Sequence, residues 1–159
     1  MNNTEPRKIP EPLMTGDPAT QLREHIIHYL DVNQPEMPLL EGKVRKLWDV
    51  SGDLPAGDTG IVVSCEDLGG HNGLPGRELV DIRVNIRIFT NLDEDDTGVL
   101  LDNLESETMR LLAAMPDPDL QDWIVDYQGS WTVTEPDNPR DNMRRQVIST
   151  IMFLENKSI

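Results

Sequence analysis

The stretch from residue 79 to residue 89 constrains the fold more than any other part of the chain. Its side chains alternate, with Val80, Ile82, Val84, Ile86 and Ile88 separated by Asp81, Arg83, Asn85 and Arg87. A period of two places the apolar set on one side of an extended backbone and the polar set on the other. The pattern therefore predicts a long strand with one buried and one polar face, as an antiparallel sheet allows.

A second strand is predicted just before it. Residues 61–65 read Ile-Val-Val-Ser-Cys, a short run rich in β-branched side chains. Between the two strands lies a glycine-rich segment, residues 69–76, which contains Gly69, Gly70, Gly73 and Gly76. Because glycine has many allowed backbone conformations, we expect this segment to be a mobile loop joining a wide β-hairpin.

Two amphipathic helices and two further strands complete the prediction. Apolar residues recur at helical spacing over residues 18–31, after an Asp17-Pro18 start signal, and over residues 98–115. Residues 123–134 and 147–154 are predicted as strands, the second apolar enough on both faces to lie centrally or at an interface. Residues 39–50 suit a helical turn or a strand equally well. The order predicts an α+β fold, a mostly antiparallel sheet of about four strands with both helices on one face.

The length and the proline distribution predict the domain organisation. A chain of 159 residues fits one domain. Residues 1–16 contain Pro6, Pro10 and Pro12 and almost no apolar periodicity, so we expect a flexible N-terminal tail followed by a single domain over residues 17–159.

Charge excludes two classes of partner. The formal net charge is −15 at pH 7, from 29 Asp and Glu against 14 Lys and Arg. Sequence-independent binding to nucleic acid needs basic surface, and so does docking on anionic lipid. No apolar run is long enough to span a bilayer, the N-terminal residues lack the apolar core of a secretory signal, and the single Cys65 can form no internal disulfide. We expect a cytosolic site of synthesis and no membrane partner.

Several residue groups superficially suggest chemistry, and each has a simpler explanation. Residues 93–98 begin like an EF-hand loop, but Leu101 and Leu104 stand at ligand positions, and Leu104 is at the one that should be a bidentate glutamate. Solvated acids before a helix, favoured there by the helix macrodipole, explain this acidic run better. His25 and His28 lie one helical turn apart without the further ligands that zinc requires. The glycines of residues 69–76 follow no phosphate-binding pattern. Cys65 lacks a local nucleophile motif. We predict no catalytic residue, no metal site and no cofactor, and therefore no enzyme.

Arg83 and Arg87 are the candidate functional residues. They lie on the polar face of the alternating strand, in a chain that is otherwise strongly acidic. One interpretation is an ordinary solvated face with cross-strand ion pairs. The other is a subunit interface, where arginine is enriched.

The order of elements resembles the tail terminator (tail completion) proteins of long-tailed bacteriophages. The similarity lies in residues 61–65, the loop 69–76, the strand GRELVDIRVNIRIFT (76–90) and the helix DTGVLLDNLESETMRLLAAM (96–115), and it extends as topology over about residues 17–154. The resemblance implies a structural virion protein that assembles in the host cytoplasm into a homo-oligomeric ring, typically a hexamer, at the head-proximal end of the tail. Its implied partners are the tail tube protein and a head-completion or neck protein, with DNA passing through the lumen without specific binding.

Three other interpretations remain open. The chain is another phage neck or minor tail protein, a non-viral acidic adaptor module, or, with less support from the residues, a small enzyme.

Overall fold

The computed structural model describes residues 17–33, 44–46, 59–70, 78–135 and 142–157. Within them, two helices and six strands follow one another along the chain. They are α1 (Pro18–Val32), β1 (Val44–Lys46), β2 (Gly60–Gly70), β3 (Leu79–Asn91), α2 (Val99–Ala113), β4 (Trp123–Gln128), β5 (Thr132–Thr134) and β6 (Met143–Asn156). The predicted flexible tail, residues 1–16, lies outside the described residues.

One sheet contains all of the described strands. Their order is β1-β2-β3-β6-β4, and β5 pairs with β6 beside β4. The central pair, β3 and β6, is antiparallel without interruption from Leu79↔Glu155 to Asn91↔Met143. Only β1 is parallel to its neighbour among these strands. The predicted α+β class with a mostly antiparallel sheet is confirmed, and β1 adds a strand in the segment where helix and strand were equally favoured.

Both helices lie on the same face of the sheet. α1 contacts β1, β2 and β3, while α2 contacts β3 and β6. The alternating apolar residues of β3 all belong to the same buried cluster as the inner faces of the helices, among them Leu22, Ile26, Leu104 and Leu112. The predicted two-layer arrangement is therefore confirmed, and the polar side of β3 faces away from the helices. We call this other side of the sheet the open face, although at one end of it Val62, Phe89 and Met143 form a second, separate buried cluster.

The start of α1 follows the sequence signal. The Asp17 carboxylate accepts hydrogen bonds from the Ala19 amide at 3.0 Å and the Thr20 hydroxyl at 2.7 Å. Pro18 occupies the first helical position, where no intrahelical amide hydrogen bond is required.

All four predicted strands differ in extent from the observed ones, and β3 ends at Asn91 rather than at residue 89. β2 continues past residue 65 to Gly70, and β6 runs from residue 143 to 156 rather than from 147 to 154. The predicted single strand 123–134 is two strands, separated at Gly129. The Gly129 amide donates to the Ile151 carbonyl at 3.0 Å, and a Cβ at Gly129 would lie only 3.1 Å from that oxygen. The backbone approaches β6 too closely there for a side chain.

A buried hydrogen bond joins the two helices. The Tyr29 hydroxyl of α1 donates to the Leu111 carbonyl of α2 at 2.6 Å. Leu111 lies in the last turn of α2, and its carbonyl also accepts a hydrogen bond from the Ala114 amide at 3.1 Å. The bond from Tyr29 thus fixes the position of one helix against the other above the sheet.

We expect Tyr29→Phe to lower the free energy of unfolding by about 1 kcal/mol, the usual contribution of one buried hydrogen bond. Urea denaturation followed by far-UV circular dichroism measures the change. Tyr127→Phe, which removes a hydroxyl from an exposed ring, is the matched control and should stay within about 0.5 kcal/mol of the parent. Equal stability of the two variants would contradict a structural role for the Tyr29 hydroxyl.

Candidate functional site

The two predicted site residues, Arg83 and Arg87, both lie on the open face. They are four residues apart on β3, which separates them by about 13 Å along the strand. Arg83 is flanked by Glu66 on β2 and Ile151 on β6, and Arg87 by Val62 and Val147. Each arginine therefore lies between two other strands and beside at least one apolar side chain.

Arg83 makes the cross-strand ion pair that an ordinary sheet face would have. Its guanidinium lies 3.5 Å from the Glu66 carboxylate, and both side chains are largely exposed. An exposed pair of this kind contributes about 0–1 kcal/mol. The contact is consistent with an ordinary solvated sheet face. It is also weak enough for Arg83 to exchange Glu66 for a carboxylate of another molecule.

An aromatic pair stands next to Arg83 on the same face. The rings of Tyr127 and Phe153 are stacked, with centroids 5.2 Å apart and planes at 30°. Tyr127 is 57% exposed and Ile151 is 37% exposed, so large apolar side chains face solvent here. Exposed apolar side chains that are grouped, rather than scattered, mark contact surfaces.

These side chains border a groove of about 380 Å³. Its lining includes Arg83, Tyr127, Gly129, Ser149, Ile151 and Phe153. Ser130, Thr132 and Thr150 also line it, and Gly129 lies against the backbone of β6 there. We call this feature the aromatic groove. It combines one cation, an apolar wall and several hydroxyl groups.

The sequence prediction missed the aromatic groove because a bulge changes which way Tyr127 points. Val125 pairs with the inward-facing Leu154, but Tyr127 pairs with the outward-facing Phe153, with a shift of register between them. In a regular strand, residues 123, 125 and 127 would share the inner face. The available signal was Gly129, since an isolated glycine within a strand pattern indicates a bulge or a close backbone approach.

The first two residues of the glycine-rich segment are not loop residues. Gly69 and Gly70 belong to β2, where Gly70 pairs with Val80 after an irregularity that begins at Asp67. Gly69 has a φ of +92°, and its amide donates to the Asp67 carboxylate at 2.7 Å. Gly73 and Gly76 lie outside the described residues, so the mobility of this segment stays a prediction.

The acidic run before α2 is a helix cap. Asp95 is buried and accepts hydrogen bonds from the Thr90 hydroxyl at 2.7 Å and from the Leu100 and Leu101 amides at 3.0 Å. Burial by itself would raise the pKa of Asp95, but these hydrogen bonds and the charge of Arg144 together lower it below its ordinary value of 3.8. The interpretation of solvated acids therefore fits the exposed Asp93, Glu94 and Asp96 but is wrong for Asp95.

The packing of α2 bears on the EF-hand alternative. Leu101 and Leu104 occupy the positions at which a calcium loop would need ligands, and both are buried in the core. Within the described residues, no group of three or more His, Cys, Asp and Glu side chains is placed to hold a metal ion.

Burial keeps both His25 and Cys65 in their neutral forms. Burial lowers the pKa of His25 to about 4, against a smaller opposing influence of Asp119, so the imidazole is neutral at pH 7. Burial raises the pKa of the Cys65 thiol to about 12, which keeps it protonated. A thiol in that state is a poor nucleophile.

Comparison with models of known protein families gives no match to this chain, and comparison with curated proteins gives none either. Each described helix has 15 residues, and neither combines the length and the apolar character that crossing a membrane requires.

We expect Asp95→Asn to lower the free energy of unfolding by about 1–3 kcal/mol near pH 7, because buried amides then lose a charged acceptor. The depressed pKa of Asp95 means that its contribution is complete above pH 4 and is lost as the pH falls through the folded-state pKa. Asp96→Asn, in the same run but with an exposed side chain, is the control. The difference between parent and Asp95→Asn should shrink in acid. A constant difference down to pH 2 would contradict the assignment.

Proposed function

We propose that this protein is a structural subunit, similar to phage tail terminators, which assembles through its open face into a closed ring. One observation carries the proposal. In a chain of net charge −15, the open face carries Arg83 and Arg87, and Arg83 lies beside the exposed apolar side chains of Tyr127 and Ile151. The α+β architecture is compatible with the resemblance on which this proposal also depends.

The charge balance favours the open face as the contact surface. Copies of a strongly acidic chain repel one another unless the contact brings cations against carboxylates. Arg145 on β6 lies on the same face, opposite Phe89, and adds a third guanidinium. Arginine and aromatic side chains are also the residues most enriched at the centres of protein interfaces. The open face therefore suits a neighbouring copy that presents acidic surface.

The geometry of the sheet edge favours a contact through the face. The edge formed by β4 and β5 is interrupted by the bulge at residue 126 and by the gap at Gly129. Such irregularities obstruct strand-to-strand pairing between molecules. A contact between two different surfaces, repeated around an axis, closes into a ring with unlike ends. Unlike ends suit an adaptor between a tail tube protein and a head-completion or neck protein.

In this proposal, six subunits form the ring at the head-proximal end of the tail, after assembly in the host cytoplasm. An acidic lumen would let DNA pass without binding, because carboxylates repel phosphates. The role is non-catalytic. Supporting that view, Asp95 is occupied in capping α2, and His25 and Cys65 are held neutral by burial.

We expect Arg83→Glu/Arg87→Glu to remain folded and to lose assembly. Buried interfacial charge pairs cost about 2–5 kcal/mol when one partner is removed, and reversal adds repulsion. Light scattering over a wide concentration range gives the oligomer mass, and thermal unfolding checks the fold. The single variant Arg83→Glu has a matched control, Arg110→Glu. Arg110 is exposed on α2, away from the open face, and its replacement changes the net charge by the same amount.

Two results would count against the proposal. Unchanged oligomer mass in the double variant would return Arg83 and Arg87 to an ordinary solvated face. A parent protein that is monomeric at every concentration, with no ring on tail tips, would overturn ring assembly.

The second candidate function is an acidic adaptor module that acts as a monomer. The aromatic groove favours it, because grooves with an apolar wall and a few polar groups are typical of binding sites. A stable monomer that still binds a partner through Tyr127 and Phe153 would support this candidate over the ring.

A further inference from the structure

We propose that the proline-rich segment before Asp17, residues 5–14, binds in the aromatic groove of a neighbouring copy. This inference rests on the proposed function, since it requires two copies in contact. It assigns a role to a sequence feature that the ring alone does not use.

The chemistry of the aromatic groove suits a proline-rich ligand. Prolines pre-set the backbone in the polyproline II conformation, and such segments dock on grooves lined by aromatic rings. Tyr127 and Phe153 supply two adjacent rings, and Ile151 continues the apolar wall. Ser130, Thr132 and Ser149 supply hydroxyl groups for a peptide that has no internal hydrogen bonds.

The composition of the segment matches this groove. Residues 5–14 read Glu-Pro-Arg-Lys-Ile-Pro-Glu-Pro-Leu-Met, so Ile9 and Leu13 flank the central Pro-Glu-Pro. Its two acidic and two basic residues make it neutral, whereas the whole chain carries −15. Glu11 lies between two prolines and can approach Arg83, whose bond to the exposed Glu66 is weak.

The layering of the domain favours binding between copies rather than within one. α1 begins at Pro18 on the helix side of the sheet, and the aromatic groove lies on the open face. A contact in which the open face of one copy meets a different surface of the next brings the next copy's segment close to this groove. Only residues 15 and 16 link this segment to Asp17, and three extended residue steps span at most about 10 Å. That is too short to carry residues 5–14 from the helix side around the sheet into the groove of the same copy.

Site-specific photo-crosslinking on the full chain tests the inference. A benzoylphenylalanine replaces Ile9, and unlabelled and isotope-labelled chains are mixed before assembly. After irradiation, mass spectrometry maps the adducts. We expect adducts on residues 126–134 and 149–153 that join one labelled and one unlabelled chain. The same probe at the exposed Val99 on α2 should give no enrichment there.

Variants make the result specific. Tyr127→Ala should lower the yield of groove adducts about tenfold, the effect of losing one aromatic anchor, while Val99→Ala should leave it unchanged. Replacing Pro6, Pro10 and Pro12 by alanine should lower the yield of groove adducts by a similar factor. If Tyr127→Ala alters thermal unfolding, Ile151→Thr replaces it, since Ile151 is also exposed.

The outcomes separate this inference from the ring itself. Adducts spread over other surfaces, adducts confined to single chains, or an unchanged yield in the groove variants would overturn it. Oligomer mass is measured on the same samples. A ring without groove adducts overturns only the inference, whereas a monomeric mass overturns the proposed function.

Discussion

Burial of the inner face of β3 under two helices is the constraint on which the rest of the structure depends. Val84, Ile86 and Ile88 are fully buried, and the side chains of α1 and α2 complete the same cluster. Because the side-chain period of a strand is two, sealing one face fixes the direction of every other side chain on it. Arg83 and Arg87 face the opposite side of the sheet for this reason.

The sequence could predict the parts of the fold that follow from regular periods. These parts are the alternation of β3, the helical spacing in α1 and α2, and the Asp17-Pro18 start of α1. Each depends only on residues that are close in sequence, so the sequence alone is enough to predict it. The cap of α2 is less local. Asp95 precedes the first helical residue by four positions, and it serves as a cap because Thr90 and Arg144 hold it from β3 and β6.

The aromatic groove could not be predicted from a period because it arises where the period is broken. One irregularity between Val125 and Tyr127 turns a ring from the core side to the open side. Its partner Phe153 comes from a strand that is distant in sequence, and Arg83 from a third. Neither the bulge nor the meeting of the three strands is encoded in any one segment, although Gly129 indicates that regular pairing fails nearby.

The central position of β6 has a consequence for how the chain folds. This strand is the last in sequence among those described, yet it lies between β3 and β4 and pairs with β3 residues that precede their partners by between 52 positions (Asn91↔Met143) and 76 positions (Leu79↔Glu155). Contacts between distant segments slow folding, since a long loop must close before they form. During synthesis, β3 has its hydrogen-bonding edge exposed until β6 leaves the ribosome. A chain interrupted before residue 143 would present that long, apolar edge to other nascent chains, which is a recognised route to aggregation.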